Sequence, residues 1–310
     1  MKIFKPNFWN KKNNLISIFL LPLSFFLQLL VILKNCLVVK KKFSIPVICV
    51  GNIYLGGTGK TPLAIEIVEI LKKLNRKPAI IKKFYKKHND EFELIESKKI
   101  SLFKNTSRAT AISAAQNNKF DCVVLDDGFQ DSSIHRDLNI LCFNEKQLIG
   151  NGYTIPAGPL REPLSVLKKS HIILINGNKN VDFEEKIKDV SNNINIFYST
   201  YLPANVEAFK NHKLFAFAGI GNPQNFFDLL KKNNLKVHVK KAFPDHYNYS
   251  LAELNELIKF SHKNNLKLIT TEKDFFRIKK YYLKEIQCLN IKLKINDKEN
   301  FEKEIIKYLW

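Results

Sequence analysis

The sequence predicts an α/β protein: a mainly parallel sheet with crossover helices, led by an apolar N-terminal helix and followed by a smaller α/β domain. Three observations predict it. Short apolar runs alternate with helical segments from residue 45 onward, a glycine-rich turn joins the first such run to a helix, and a 19-residue stretch ahead of it carries no charge. The expected division is 1–44 for the membrane anchor and its flanks, 45–200 for the larger domain and 201–310 for the smaller one.

At 310 residues the chain is long enough to bury a full core in two domains. Fifty Lys and Arg against 29 Asp and Glu give a net charge of +21. Such a charge suits an anionic surface, although abundant Lys and Asn also fit a biased genome composition. No nucleic-acid-binding signature accompanies it, so an anionic membrane is the expected partner and nucleic acid is not. A monomer is expected. Cys36, Cys49, Cys122, Cys142 and Cys288 are scattered without a C-x-x-C pair. This argues against a zinc site or disulfide framework and suits a reducing compartment.

Leu15–Leu33 contains only Ser17, Ser24 and Gln28 as clearly polar side chains. As a helix it rises about 28 Å, close to the roughly 30 Å of bilayer hydrocarbon. Apolar residues surround it on all sides, which predicts no polar face. Lysines flank both ends, so the positive-inside rule does not orient it. No small-x-small cleavage site follows, which favours an anchor over a signal peptide. Spanning and merely embedded placements both remain open.

Behind the anchor, Ile45–Val50 reads as a strand and Leu63–Leu74 as a helix. Between them lies Gly51-Asn52-Ile53-Tyr54-Leu55-Gly56-Gly57-Thr58-Gly59-Lys60-Thr61-Pro62. Strand, glycine-rich loop and helix start form a phosphate cradle, in which backbone N–H groups and the helix N-terminus face anionic oxygens. The pattern is P-loop NTPase-like: Gly56, Gly57, Thr58 and Gly59 cradle a nucleotide, Lys60 reaches its β/γ-phosphates, and the Thr61 hydroxyl ligates Mg²⁺. Tyr54 occupies the slot where the first glycine of that motif belongs.

Further strands are expected at Ala79–Ile81, Cys122–Leu125, Leu138–Phe143 and Ile172–Ile175, with a helix at Arg108–Asn117. From Lys213 the alternation resumes: a strand with a tight turn at Gly219 and Gly221, a helix over Gln224–Lys231 and a strand at Val237–Val239. A helix over Leu251–Lys263, a strand at Leu268–Thr271 and a turn at Glu272-Lys273-Asp274 follow. The third glycine of a dinucleotide fingerprint is absent there.

Asp126-Asp127-Gly128-Phe129-Gln130 follows the apolar strand, where paired acids can hold Mg²⁺ beside the cradle, with Gly128 permitting the sharp turn. Transfer of a phosphoryl group to an alcohol also needs a base. Asp90, within Asn89-Asp90-Glu91 in a polar loop, is a candidate, though such a triplet also reads as simply solvated. His246, beside Asp245, could orient that base or be an ordinary surface histidine. Arg161 sits in the proline-bounded loop Ala157–Pro163, suited either to phosphate recognition or to a structural turn.

Taken in order, VGNIYLGGTGKTP, NDE, LDDGFQ, HRDLNI, PAGPLREP, FPDHYNYS and TTEKD, behind an apolar helix, resemble the tetraacyldisaccharide 4′-kinase (lipid A 4′-kinase) family over nearly the whole chain. The resemblance implies ATP- and Mg²⁺-dependent phosphorylation of the 4′-hydroxyl of an acylated glucosamine disaccharide 1-phosphate. It places this at the cytoplasmic face of the bacterial inner membrane. It implies Lys60 and Thr61 as phosphate and Mg²⁺ ligands, and Asp126, Asp127 and Gln130 as the metal and nucleotide group, with Glu91 contributing. Asp90 becomes the base, His246 its partner, and Arg108 and Arg161 contacts to phosphates. The chain departs from the family pattern where Lys82-Lys83-Phe84-Tyr85 replaces an S-R-G-Y-G-type loop, where a short connection leads to Asn89, and where Asp131 follows Gln130 in place of His. Two other classes compete: a membrane-anchored P-loop ATPase or GTPase switch, which needs no base, and a catalytically lapsed binder of anionic membranes.

Overall fold

The computed structural model describes residues 6–85 and 89–309, and the chain divides into two units. The larger comprises Ile3–Phe84, Ile100–Thr200 and Lys294–Trp310, and the smaller is built from Tyr85–Lys99 and Tyr201–Leu293. In chain order, α1 (Leu15–Cys36), β1 (Val47–Gly51), α2 (Lys60–Lys73) and β2 (Pro78–Lys83) precede α3 (Asn89–Ser97). Then come β3 (Leu102–Asn105), α4 (Arg108–Asn117), β4 (Cys122–Asp126), β5 (Leu138–Asn144), β6 (Ile172–Asn176), α5 (Val181–Val190) and β7 (Asn195–Pro203). The chain continues through β8 (Leu214–Ala218), α6 (Pro223–Lys232), β9 (Val237–Ala242), α7 (Leu251–Lys263), β10 (Lys267–Thr271) and α8 (Glu272–Ile278). It closes with β11 (Ile286–Leu289), β12 (Ile291–Ile295) and α9 (Lys298–Lys307).

Two segments lie outside the expected boundaries of 45–200 and 201–310. Tyr85–Lys99 belongs to the smaller unit, because α3 packs on α8. Lys294–Trp310 returns to the larger, where buried Phe301 meets Phe197 edge-on at 5.2 Å. The short connection at 86–88 lies outside the described residues.

The eight-stranded sheet runs β12-β7-β6-β5-β1-β4-β2-β3. Every pairing from β7 to β3 is parallel. β1, β4 and β5 are buried along their whole length, as strands covered on both faces must be, and Cys49, Cys122 and Cys142 lie buried in them. Register aligns Val50 with Asp126 and Asp126 with Lys82, so the cradle, the acidic pair and Lys82 share one edge of the sheet. In the smaller unit β11-β10-β8-β9 is also parallel. Alternation along β8 sends Leu214, Ala216 and Ala218 to one core and Phe215 and Phe217 to the other.

Helix α1 begins at Asn14, whose side chain accepts from Ile16 N at 3.0 Å. Its polar residues are not scattered: spacings of seven, four and seven put Ser17, Ser24, Gln28 and Asn35 on one stripe. That stripe is docked. Ser17 Oγ accepts from Asn151 Nδ2 at 3.0 Å, Ser24 Oγ donates to Thr154 O and accepts from Ala157 N, both at 3.0 Å, and Gln28 Nε2 donates to Arg161 O at 3.2 Å. Ser132 Oγ donates to Asn35 Oδ1 at 2.9 Å. A polar face therefore exists, contrary to the expectation. It is turned to the protein, while Leu15, Phe19, Phe25 and Leu33 stay exposed.

Candidate active site

The cradle is shaped from inside. Buried Asn52 donates through Nδ2 to Tyr54 O at 2.6 Å and Gly56 O at 3.1 Å, curling the loop on itself. Gly56 at φ 134° and Gly59 at φ 98° occupy backbone regions that only glycine enters cheaply. Tyr54 has no positive φ, so the motif's first glycine is dispensable there. Its ring is buried, and its backbone bridges Leu160, with Leu55 N donating to Pro159 O at 2.8 Å and Arg161 N to Ile53 O at 2.6 Å. The loop docked on α1 thus also clasps the cradle. A Cβ at Gly57 would meet no heavy atom within 4 Å, leaving room for phosphate against the backbone.

Thr61 Oγ1 donates to Asp126 Oδ2 at 2.8 Å. Lys82 Nζ donates to the same oxygen at 2.5 Å, and both partners are almost fully buried. Asp127, at φ 61°, makes the left-handed turn expected of Gly128. Gly128 is required for a different reason: a Cβ there would lie 2.8 Å from Leu125 Cβ and 3.3 Å from Cys49 Sγ. Asp127 Oδ1 faces Lys60 Nζ at 3.6 Å and Arg161 at 3.0 Å, while Arg108 donates to Asp127 O at 2.6 Å and to Asp131 Oδ2 at 3.1 Å. Burial opposes ionisation of Asp127, but Lys60, Arg161, Lys82 and Arg108 together hold its carboxyl below the usual range. Gln130 accepts from Arg161 at 3.1 Å and donates to Asn52 O at 2.9 Å and Glu162 Oε1 at 3.0 Å. The structure thus gathers Lys60, Thr61, Asp126, Asp127, Gln130, Arg108 and Arg161 around one loop.

Asp90, Glu91 and His246 sit in the smaller unit. Asp90 and Glu91 occupy the first turn of α3, not a polar loop; acidic groups there complement the helix dipole, and Phe92, Leu94 and Ile95 bury its other face. The expected turn at Glu272-Lys273-Asp274 is likewise the start of a helix, α8, capped by Thr271 accepting from Asp274 N at 3.1 Å. Ion pairs join the two helices: Glu91 with Lys273 at 2.6 Å, Lys98 with Glu272 at 2.6 Å, and Asp90 with Arg277 at 2.7 Å. His246, itself at φ 52°, has Nδ1 3.8 Å from Asp90 Oδ2, beyond hydrogen-bond range, and 3.4 Å from Arg277.

Sequence reasoning missed Lys82, Glu162, Asp274 and Arg277. Burial lowers the Arg277 pKa, but Asp274 and Asp90 outweigh it and raise it above the ordinary value. Burial and then Asp274 push the Tyr249 phenol well up, keeping it a donor to Asp274 Oδ1 at 3.0 Å. Gly219 N donates to Asp274 Oδ2 at 3.0 Å, and a Cβ at Gly219 would lie 2.8 Å from the Tyr249 hydroxyl, which accounts for this glycine as a close approach.

Two buried oxygens at the cradle, Thr58 Oγ1 and Asp126 Oδ1, have no hydrogen-bond partner among the described residues. Unpaired oxygens beside Thr61 fit Mg²⁺, which takes oxygen ligands and retains water and substrate phosphates rather than an all-protein cage. Among the described residues no three His, Cys, Asp or Glu side chains form such a cage.

The family model described as Tetraacyldisaccharide-1-P 4′-kinase matches residues 16–104 and 90–309. The chain is similar to the tetraacyldisaccharide 4′-kinase of Pelagibacter ubique, 44% identical over 99% of this chain and 98% of that protein. It is 34% identical to the protein of the same name from Rickettsia typhi, over 99% of both. Among solved structures it is similar to LpxK from Aquifex aeolicus in complex with ATP, with a TM-score of 0.72 and 25% identity over 96% of this chain and all of that one.

Proposed function

Because the chain belongs to the tetraacyldisaccharide 4′-kinase family and is an ATP-dependent kinase of lipid A biosynthesis, we propose that its larger unit holds the phosphoryl donor and that Asp90 of its smaller unit is the base. Family membership favours this enzyme over a nucleotide switch or a lapsed binder. Asp90 Oδ1 takes the proton of the acceptor's 4′-hydroxyl as that oxygen attacks the γ-phosphorus, and the bond to the leaving ADP oxygen breaks. Lys60 neutralises charge gathering on the transferring group, and Arg161 binds the phosphates of the nucleotide. Thr61 and Asp126 would hold Mg²⁺, with Asp127 nearby, and the ion would further neutralise the phosphates. Arg108 and Gln130 fix the backbone and side chains that shape this wall. Glu91, paired with Lys273, holds α3 against α8.

The observation that carries this reading is the bond from Thr61 to Asp126 beside Lys60, with Asp126 Oδ1 buried and unpaired. Incubating the purified chain with γ-labelled ATP, Mg²⁺ and tetraacyldisaccharide 1-phosphate is expected to label the lipid. Retained ATP binding without labelled lipid would overturn it.

The inner membrane's cytoplasmic face is the proposed site of action, where ATP meets an acylated substrate, and basic side chains favour the anionic leaflet. Helix α1 lies within that leaflet rather than across the bilayer. Its polar stripe is bonded to the larger unit from Ser17 to Asn35, so spanning would draw that unit's polar loops into hydrocarbon. With the exposed Cys36 and half-buried Cys288 changed to Ser, cysteines replacing Asn14 and Lys40 one at a time should both react with an impermeant thiol reagent from the cytoplasmic side only. Labelling from opposite sides would show a spanning helix.

A further inference from the structure

Arg277 belongs to none of the motifs that carry the nucleotide chemistry, yet its side chain is only 9% exposed and ringed by acceptors. Nε and NH2 both reach Asp90 Oδ2, at 2.8 and 2.7 Å. NH1 donates to Gly219 O at 2.6 Å and to Asp274 Oδ1 at 2.7 Å. NH2 also lies 3.4 Å from His246 Nδ1. Burying a guanidinium between two carboxylates carries a large desolvation cost. A purely structural tie between α8 and the Gly219 turn accounts for NH1 alone. The opposite edge of the same plane is turned to Asp90 and His246.

Three consequences follow from the donor inventory. Asp90 Oδ2 is occupied, and Oδ1 is buried without a partner among the described residues, so the two carboxylate oxygens have different tasks. Arginine has no acceptor, so in its 3.4 Å contact with His246 the guanidinium is the donor and the imidazole Nδ1 edge faces it. Asp274, which grips the far edge of the guanidinium, is itself fixed by Gly219 N at 3.0 Å, Thr271 Oγ1 at 2.7 Å and Tyr249 OH at 3.0 Å. The plane of Arg277 is therefore set from behind.

We infer that Arg277, backed by Asp274, is a positioning residue that orients Asp90 so that Oδ1 is presented for proton transfer and that engages the Nδ1 edge of His246. This rests on the reading of Asp90 as the base. Arginine serves here because its charge is permanent and its fork meets two acceptors in one plane, which an ammonium cannot reproduce.

The test compares the full chain with Asp90→Asn, Arg277→Gln, Arg277→Lys and Asp274→Asn in lipid-detergent micelles containing tetraacyldisaccharide 1-phosphate and ATP. Asp90→Asn is expected to lower kcat about 10³-fold, within the range for losing a general base. Arg277→Gln should lower kcat about 10²-fold and leave the KM for ATP within about twofold, because only the transition-state proton transfer suffers. Ethylguanidinium should restore kcat of Arg277→Gln about tenfold, and Arg277→Lys should retain more activity than Arg277→Gln. Asp274→Asn should fall between wild type and Arg277→Gln. Arg277→Gln with near wild-type kcat, alongside an inactive Asp90→Asn, would overturn the positioning role while leaving the base in place. Asp90→Asn with wild-type kcat would instead overturn the base. Loss in Arg277→Gln that neither ethylguanidinium nor lysine relieves, with a lowered Tm, would make Arg277 structural and also defeat the inference.

Discussion

In the phosphate cradle, Asn52 shapes a loop whose partners lie two and four residues away, whereas Asp90 is held by Arg277, 187 residues further along the chain. The first arrangement depends on backbone conformation and one helix start. The second depends on the smaller unit being folded, since α3, the Gly219 turn and α8 must all be in place before Asp90 has its counter-ion. The cradle also concentrates cations around Asp127, while the second cluster alternates charge through Asp274, Arg277 and Asp90. A local site should thus fail by losing a single interaction, and a dispersed one by losing the fold that assembles it.

Removing the cradle's cation gives the largest expected effect. Lys60→Ala should lower kcat/KM by about 10³-fold or more, about 4 kcal/mol, the scale for deleting a preorganised charge on a transferring group. The protein should still sediment with membranes, since Lys60 has no part in the docking of α1. The labelled-lipid assay reads the first outcome and fractionation the second. Release from membranes would show that the cradle and the anchor are coupled more tightly than the local picture allows.

The same contrast explains what the sequence revealed. Helices α4 and α7 match their expected bounds because side-chain caps mark their starts: Ser107 accepts from Thr110 N, and Ser250 forms a capping box with Glu253. The cradle was legible because its logic is local: strand end, glycines, helix start. Helices α3 and α8, of nine and seven residues, were not legible, because ion pairs between distant segments hold them rather than a long periodic face. Arg277 and Lys82 were hidden for a compositional reason. Among 50 Lys and Arg, a single buried cation has no contrast, and only its burial in the fold separates it from the rest. Strand β3, a half-exposed edge of four residues containing Lys and Asn, carries too little apolar pattern to be read.

Tyr54→Gly sharpens the comparison by restoring the motif's usual glycine. The ring is 2% exposed and packs in the core, so the change should destabilise the larger unit by about 3 kcal/mol, on the scale of aromatic truncations in cores. A lowered Tm with little change in the KM for ATP is the expected pair of measurements. An unchanged Tm would mean that the clasp with Leu160 holds the loop without its aromatic side chain.

A smaller effect is expected at Arg161, which meets Asp127 and Gln130. Arg161→Lys keeps the charge but loses the fork, and should raise the KM for ATP about tenfold, about 1.4 kcal/mol. An equal fall in kcat with unchanged KM would move Arg161 from nucleotide binding to the transition state.

Gln28→Leu gives the smallest effect and probes the link between anchor and cradle. Gln28 donates to Arg161 O, while Arg161 N donates to Ile53 O, so the backbone of one residue joins α1 to the phosphate loop. Leucine preserves the apolar character of α1 and removes only that donor, a net loss of about 1 kcal/mol. Membrane partition should be unchanged, and the KM for ATP should rise about fivefold as the 154–161 loop relaxes. Arg161→Lys and Gln28→Leu act on the same loop, so combining them should cost less than the sum of the two. Full additivity would show that α1 and the cradle are independent, and that the polar stripe serves only to seat the helix.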